Sequence, residues 1–398
     1  LTGLDGGKVS ARLVERAIEA APGNPRCRVE MALWLEFRGA KKEDVLACYA
    51  VAERLAAQDW TAPLWRASTY VSSATPGDLE MAKADFARVI ALDPAIPNVW
   101  VLRAMVANQE GRYLEALEGA ERGLALHPDP AWEACAEFTR MLAHNDLAEP
   151  EAALACIARA RAAKRARDEL VRGSTWEAYT APRESALSMW QSNLLEQTGK
   201  YDEALALLDA GVDEEEWEFE LGWERGQLLL LAGRYAEGAE ALLEAADSTP
   251  LDEATRAQFE PMVMRVHTAL TVADDPGDPP RILDPMVNML WMLARAQGAK
   301  SGYVGTAIAD MSRAQWALWR KAGDKAGLLA AAKRWAKVSP TSPTALYHLA
   351  AAYAFGDQAA EASKALDAAA KAGFRNWERV RTASEFEPVR GDPAFHRR

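Results

Sequence analysis

Small and apolar residues recur along the chain at intervals of three and four: Ala116 and Ala120, Ala204 and Leu208, then Gly238, Leu242 and Ala245, then Ala362, Leu366 and Ala369. This spacing gathers side chains on one face of an α-helix rather than alternating them across a strand. Each segment therefore reads as a helix with one face committed to packing. The stretch S-A-R-L-V-E-R-A-I-E-A-A-P from Ser10 has the same character and stops at a proline. The pattern predicts an almost all-α chain.

One stretch is written three times in altered form: G-R-Y-L-E-A-L from Gly111, G-K-Y-D-E-A-L from Gly199 and G-R-Y-A-E-G-A from Gly233. Around the first copy, Trp100 lies upstream, Ala116 and Ala120 follow, and Pro128 closes the unit. The unit before it, 63–96, sets Tyr70, Gly77, Ala82, Phe86 and Pro94 in the same frame. Residues 185–218 supply Gly199, Tyr201, Ala204 and Leu208, and residues 219–252 supply Gly226, Gly233, Tyr235, Gly238, Leu242, Ala245 and Pro250. Residues 343–376 fit through Ala350, Tyr353, Ala362, Leu366 and Ala369; 309–342 fit less well through Trp316, Gly323 and Pro340. Residues 26–60 and 134–167 keep the helical period but lose the signature.

This order resembles the tetratricopeptide repeat, a unit of about 34 residues folding as two antiparallel helices. The resemblance implies an α-solenoid, a right-handed superhelix of stacked helix pairs. Small residues such as Ala116, Ala204 and Gly226 would let helices approach, and large ones such as Trp100 and Phe86 would fill the space beside them. Gly111, Gly199 and Gly233 would turn the chain between helices, where a left-handed residue is often required.

The frame divides the chain into an N-terminal block over 1–167, a central block over 168–252, a degenerate repeat over 253–308, a C-terminal pair over 309–376 and a capping segment over 377–398. Residues 168–184 are expected to extend a helix and then cross a loop. Four prolines and a glycine between Thr271 and Pro285 exclude regular helix and predict a surface loop. The final segment, N-W-E-R-V-R-T-A-S-E-F-E-P-V-R-G-D-P-A-F, is similar to the solvating caps that end such arrays.

In peptide-binding members of this family, fixed positions of the first helix touch the ligand. Matched residue by residue, the resemblance implies a groove lined by Asn98, Val101, Met105, Asn108 and Gln109, then by Met189, Asn193, Glu196 and Gln197, then by Trp223, Gln227 and Tyr347. Amides beside apolar groups can hydrogen-bond an extended backbone while seating side chains. For Trp223, packing against a neighbouring helix and lining the groove stand as equal alternatives. The lysine and asparagine clamp by which some members grip a terminal carboxylate is missing at these positions.

Composition narrows the partners. The formal net charge of −12 repels phosphate backbones and anionic lipid, which argues against nucleic acid and against membrane insertion. Cys27, Cys48, Cys135 and Cys156 are too few for a disulfide framework and read as core thiols. No transmembrane-length apolar run or signal peptide is visible. Cytoplasmic placement is favoured, while a processed exported or lipid-anchored form stays open because the chain begins at Leu1.

Candidate chemistry is sparse. The opening G-L-D-G-G-K-V-S has one residue too few between its glycines for a phosphate loop, and Val9 follows Lys8. His127, His144, His267, His348 and His396 show no zinc spacing, and Asp274, Asp275 and Asp278 lack the pattern of a calcium loop. D-E-E-E from Asp213 and K-R-A-R from Lys164 are read as charges suited to helix ends. No cofactor, metal or catalytic constellation is expected. The sequence thus points to a non-enzymatic scaffold that binds a peptide or partner protein in its concave groove, with self-association left open. The alternatives are a regulatory module of a larger signalling enzyme or transcription regulator, and an enzymatic site within 253–308.

Overall fold

A computed structural model describes residues 8–73, 75–171, 182, 184–210, 218–247, 257, 261, 264–269, 271, 281–282, 312–313 and 315–395. Among the described residues there is no strand, and helices pack in consecutive pairs. Pro25–Phe37 pairs with Lys42–Leu55, Thr61–Ser73 with Pro76–Leu92, and Pro97–Gln109 with Tyr113–Ala125. Further along, Glu184–Gln197 pairs with Tyr201–Ala210, Glu218–Leu231 with Tyr235–Asp247, and Pro343–Phe355 with Ala359–Lys371. The first helices of successive pairs also touch, as Pro25–Phe37 does Thr61–Ser73. The all-α, repeat-based fold is therefore as the sequence implies.

Local chemistry starts and stops these helices. Asn24, Thr75, Asp324 and Ser342 accept backbone N–H bonds from the first turns they precede. Pro25, Pro97 and Pro343 occupy first-turn positions where no donor is lost. At the other end, Gly111, Gly199 and Gly233 take φ of +74°, +78° and +85°. The residue after each donates back five positions, Arg112 to Ala107 at 2.8 Å, Lys200 to Leu195 at 2.9 Å and Arg234 to Leu229 at 2.8 Å, which satisfies a carbonyl the helix leaves open.

The same turn also forms without glycine. Ala148 has φ +59° with Glu149 N–H donating to His144 O at 2.9 Å, and Asp357 has φ +61° with Gln358 N–H donating to Tyr353 O at 2.9 Å. A left-handed alanine costs roughly 1–2 kcal/mol, so its surroundings must hold it. This explains why 134–167 loses its signature yet keeps a helix pair's turn.

Close approach is equally specific. A Cβ on Gly226 would lie 2.6 Å from Leu242 Cγ, so a larger residue here would force the helices of that pair apart. Trp100 and Phe86 are buried, as are Ala104, Ala116, Ala120 and Ala204. Cys156 is buried and Cys27, Cys48 and Cys135 are half-buried; burial pushes the Cys135 thiol up to about 12 and Cys156 to about 11.

K-R-A-R does not end its helix. Pro150–Val171 continues past it, and Lys164 and Arg167 pair with Asp168 at 2.6 and 3.0 Å within the same helix. The C-terminal segment is also more than a solvating end. Its outward residues, Glu387 among them, are exposed, while Phe386, Val389 and Phe395 are buried and extend the core. The opening residues 1–7, D-E-E-E at 213–216, the three aspartates at 274, 275 and 278, His396, and most of 172–183 and 253–311 lie outside the described residues.

By its internal contacts the chain forms two compact units, one of 1–143 and 155–182, the other of 144–154 and 183–398. Within the second, the turn 144–149 is held by residues some two hundred positions away. Thr344 Oγ1 donates to the carbonyls of Asn145 and Asp146, both at 2.8 Å. Ala148 O accepts from Asn376 Nδ2 and Arg379 Nη1, both at 3.2 Å, and Arg375 reaches Glu149 at 3.0 Å. These bonds and the surrounding apolar cluster, in which Ala148 is fully buried, are what hold the left-handed alanine. A simple solenoid has contacts between neighbouring repeats alone; this unit folds back on itself.

Closure traps a carboxyl. Asp146 retains partial surface, but the packing around it raises its carboxyl to about 7, with a 3.5 Å contact to Ser342 Oγ opposing. A folded-state value above the unfolded one means that the folded chain binds the extra proton. Stability is therefore greatest below about pH 4 for this group and falls as pH rises towards 7. Asp146→Asn is expected to stabilise the unit by about 1–3 kcal/mol at pH 8 and to have little effect at pH 4. Urea unfolding at the two values checks this, and an equal effect at both would refute the assignment.

Candidate binding site

The groove positions fall into different environments. In the N-terminal unit Asn98, Met105 and Asn108 are half-buried and Gln109 is exposed, while Val101 is fully buried. A Cβ on Gly123 would lie 2.8 Å from Val101 Cγ2, so Val101 packs inside its helix pair and presents nothing outward. In the C-terminal unit Met189 and Gln197 are half-buried, and Asn193, Glu196, Gln227 and Tyr347 are buried. Trp223 lies in the helix Glu218–Leu231, with its side chain outside the described residues. Asn108 Oδ1, Asn193 Oδ1 and Gln227 Oε1 are each buried without a hydrogen-bond partner among the described residues.

Three of these positions converge. Glu196, Gln197 and Tyr347 line one cavity of about 560 Å³, though they come from repeats far apart in the chain. Gln197 sits at the end of its helix and donates to Asn145 Oδ1 at 2.9 Å, which ties that wall to the closing turn. Glu196 is paired with Arg313 through bonds of 3.1 and 3.4 Å, both side chains buried. Tyr347 stacks on Phe374 at 5.1 Å between ring centroids, and the Arg379 guanidinium lies 5.0 Å from its own ring centre. Burial pushes its hydroxyl up to about 12 against the pull of Arg379.

The remaining walls come from residues that the repeat pattern does not single out. Arg313, Trp316 and Arg320 recur at spacings of three and four, so they share a face of the helical segment around 312–322, and Lys321 adjoins them, exposed. Arg320 binds Glu385 at 2.7 Å and Ser384 at 2.6 Å. His348 lies within rings, 4.4 Å from Trp316, 4.8 Å from Trp335 and 5.3 Å from Tyr347. Burial, then the cations Arg379 and Arg313, hold its imidazole well below the usual histidine range, so it is neutral near pH 7. Trp316 Nε1 and His348 Nδ1 are buried without partners among the described residues.

A second cavity of about 630 Å³ lies in the same unit, with Glu149, Glu151, Arg375, Trp377, Glu378 and Arg381 among its walls. Its cations are spoken for, since Arg375 pairs with Glu149 and Arg381 with Glu378. Among the described residues no three His, Cys, Asp or Glu side chains cluster as metal ligands, and no helix is long and apolar enough to cross a membrane.

No protein-family model matches the chain, and no curated protein matches it in sequence. Among solved structures it is similar to a tetratricopeptide repeat protein from Parabacteroides merdae, at 17% identity and a TM-score of 0.42, over 63% of this chain and 90% of that one. It is also similar to the P58(IPK) TPR domain, at 15% identity and a TM-score of 0.28, over 92% of this chain and 97% of that one.

Proposed function

We propose that the chain is a non-enzymatic scaffold that binds a segment of a protein partner against the first-helix faces of its repeats. The observation that carries this reading is the convergence of Glu196, Gln197 and Tyr347 on one cavity with aromatic and charged walls. Aromatic surface beside fixed polar groups is the composition of a site that seats side chains while orienting a backbone. The half-buried amides and Met105 on Pro97–Gln109 offer a similar mixture in the N-terminal unit.

The titratable groups at the cavity suit binding better than proton transfer. His348 is held neutral, the Tyr347 hydroxyl is pushed up, and Glu196 is committed to Arg313. A general acid or base working near neutral pH would need a value near 7.

Co-purification with chemical crosslinking tests the scaffold. Asn108→Ala with Gln197→Ala is expected to retain the helical circular dichroism, lose about 1 kcal/mol through the Gln197 bond to Asn145, and retain at least fivefold less of a specific partner, a change of about 1 kcal/mol in binding. Unchanged retention by the folded variant would end the reading.

A further inference from the structure

We propose that the segment Ser384–Phe395 is a displaceable occupant of the groove in the C-terminal unit, and that a partner reaches the first-helix faces there by displacing it. This rests on the scaffold reading and adds how access to its site is controlled.

The burial of the site motivates it. Tyr347 is only 2% exposed, although the repeat frame sets it on the groove side. The chain itself covers it: the Phe386 ring centroid lies 5.7 Å from that of Tyr347, and Phe395 packs in turn on Phe386 at 5.9 Å. One repeat earlier, Arg320 donates to Glu385 Oε1 at 2.7 Å and to Ser384 Oγ at 2.6 Å. Arg320 stands in 309–342 where Glu196 stands in 185–218, and Tyr347 stands in 343–376 where Met189 does. Ser384, Glu385 and Phe386 thus contact groove positions of two successive repeats, as consecutive residues of a bound peptide would.

The segment is separable from the closure of the unit. Asn376 and Arg379, at the start of and within the helix Trp377–Thr382, hold the Ala148 carbonyl. That helix ends at Ala383, whose φ of −64° and ψ of +131° are extended. A change at this one residue carries 384–395 away while the turn 144–149 stays held. Pro388, inside the 3-10 segment Ser384–Val389, has no N–H to donate, so the segment lacks a continuous helical ladder of its own. The cavity of about 560 Å³ lies directly beside it, with Ala383 and Glu385 among the walls. A side chain entering there meets the segment at its joint. Burial of Phe386, Val389 and Phe395 keeps the segment seated when no partner is present. An aromatic ring set against Tyr347 in place of Phe386 is what a competitor must offer.

Fluorescence anisotropy on the full chain tests this with a labelled peptide, A-S-E-F-E-P-V-R-G-D-P-A-F, the sequence of residues 383–395, acetylated and amidated. In the wild type the tethered copy acts at an effective concentration on the order of millimolar, so the peptide binds weakly. Ser384→Ala with Glu385→Ala loosens the tethered copy and leaves Arg320 to the peptide. It should raise peptide affinity at least about fivefold, with the helical circular dichroism retained. Retention of a crosslinked partner should rise with it. The peptide carrying Phe386→Ala should show no gain. Glu378→Ala, which removes a carboxylate paired with Arg381 inside the preceding helix, should leave affinity unchanged. If the double variant does not fold, Glu385→Gln serves, with an expected gain of roughly two- to threefold. Equal peptide affinity of the wild type and the loosened chain, a gain that survives Phe386→Ala in the peptide, or a gain without a rise in partner retention would overturn the proposal. Absence of the gain, while Asn108→Ala with Gln197→Ala still lowers partner retention, would remove the displaceable segment and leave the scaffold reading standing.

Discussion

Phe386→Ala is expected to destabilise the C-terminal unit by about 3–5 kcal/mol, the range for emptying a filled aromatic site. Phe386 is fully buried in the short 3-10 segment Ser384–Val389. Its ring centroid is 5.7 Å from that of Tyr347 and 5.9 Å from that of Phe395. The terminal segment cannot collapse freely into the vacated space, because Arg320 fixes Ser384 and Glu385 on one side and Arg390 Nη2 donates to Ala383 O at 2.5 Å on the other. Guanidinium unfolding followed by tryptophan fluorescence reads the loss. A change below about 1 kcal/mol, the size of an ordinary surface substitution, would mean that the segment covers the unit without supporting it.

The second large effect concerns the pair between Glu196 and Arg313. Their side chains are only 3% and 10% exposed, so breaking the pair leaves a charge in a poorly hydrated place. Arg313→Met alone is expected to cost about 3–5 kcal/mol, whereas Arg313→Met combined with Glu196→Leu should lie closer to the wild type, because neither member of the pair is left facing the site of the other. The double-mutant cycle measures the difference directly. If the double variant were as unstable as the single one, the destabilisation would come from lost packing rather than a stranded carboxylate.

The fold was legible because its signals are local. Gly111, Gly199 and Gly233 mark turns through their own backbone angles, and Trp100, Phe86 and Ala204 mark packed faces through spacing alone. The turn at Ala148 was not legible, since the angle there is held by bonds and packing from elsewhere rather than by the residue type. The cavity divides in the same way. The repeat frame named Glu196, Gln197 and Tyr347, which sit at regular positions, but Val101, at an equally regular position, is packed inside its pair. Arg313, Arg320 and Arg379 come from a weakly matching repeat and from the cap. Their spacing hints at a shared face for the first two, yet nothing in a periodic pattern tells that the cap would meet a turn more than two hundred residues upstream.

That meeting constrains how the chain can change over evolution. An open repeat array tolerates duplication or loss of a unit, because each junction resembles the next. Here Thr344, Asn376 and Arg379 meet residues 145–148 from about two hundred positions further along the chain. Adding or deleting one helix pair between 184 and 338 would carry them out of register, strand Ala148 in its left-handed conformation and dismantle the cavity in one step. The number of repeats in this unit is therefore expected to be constrained, and relatives that keep the closing residues should also keep the length between them.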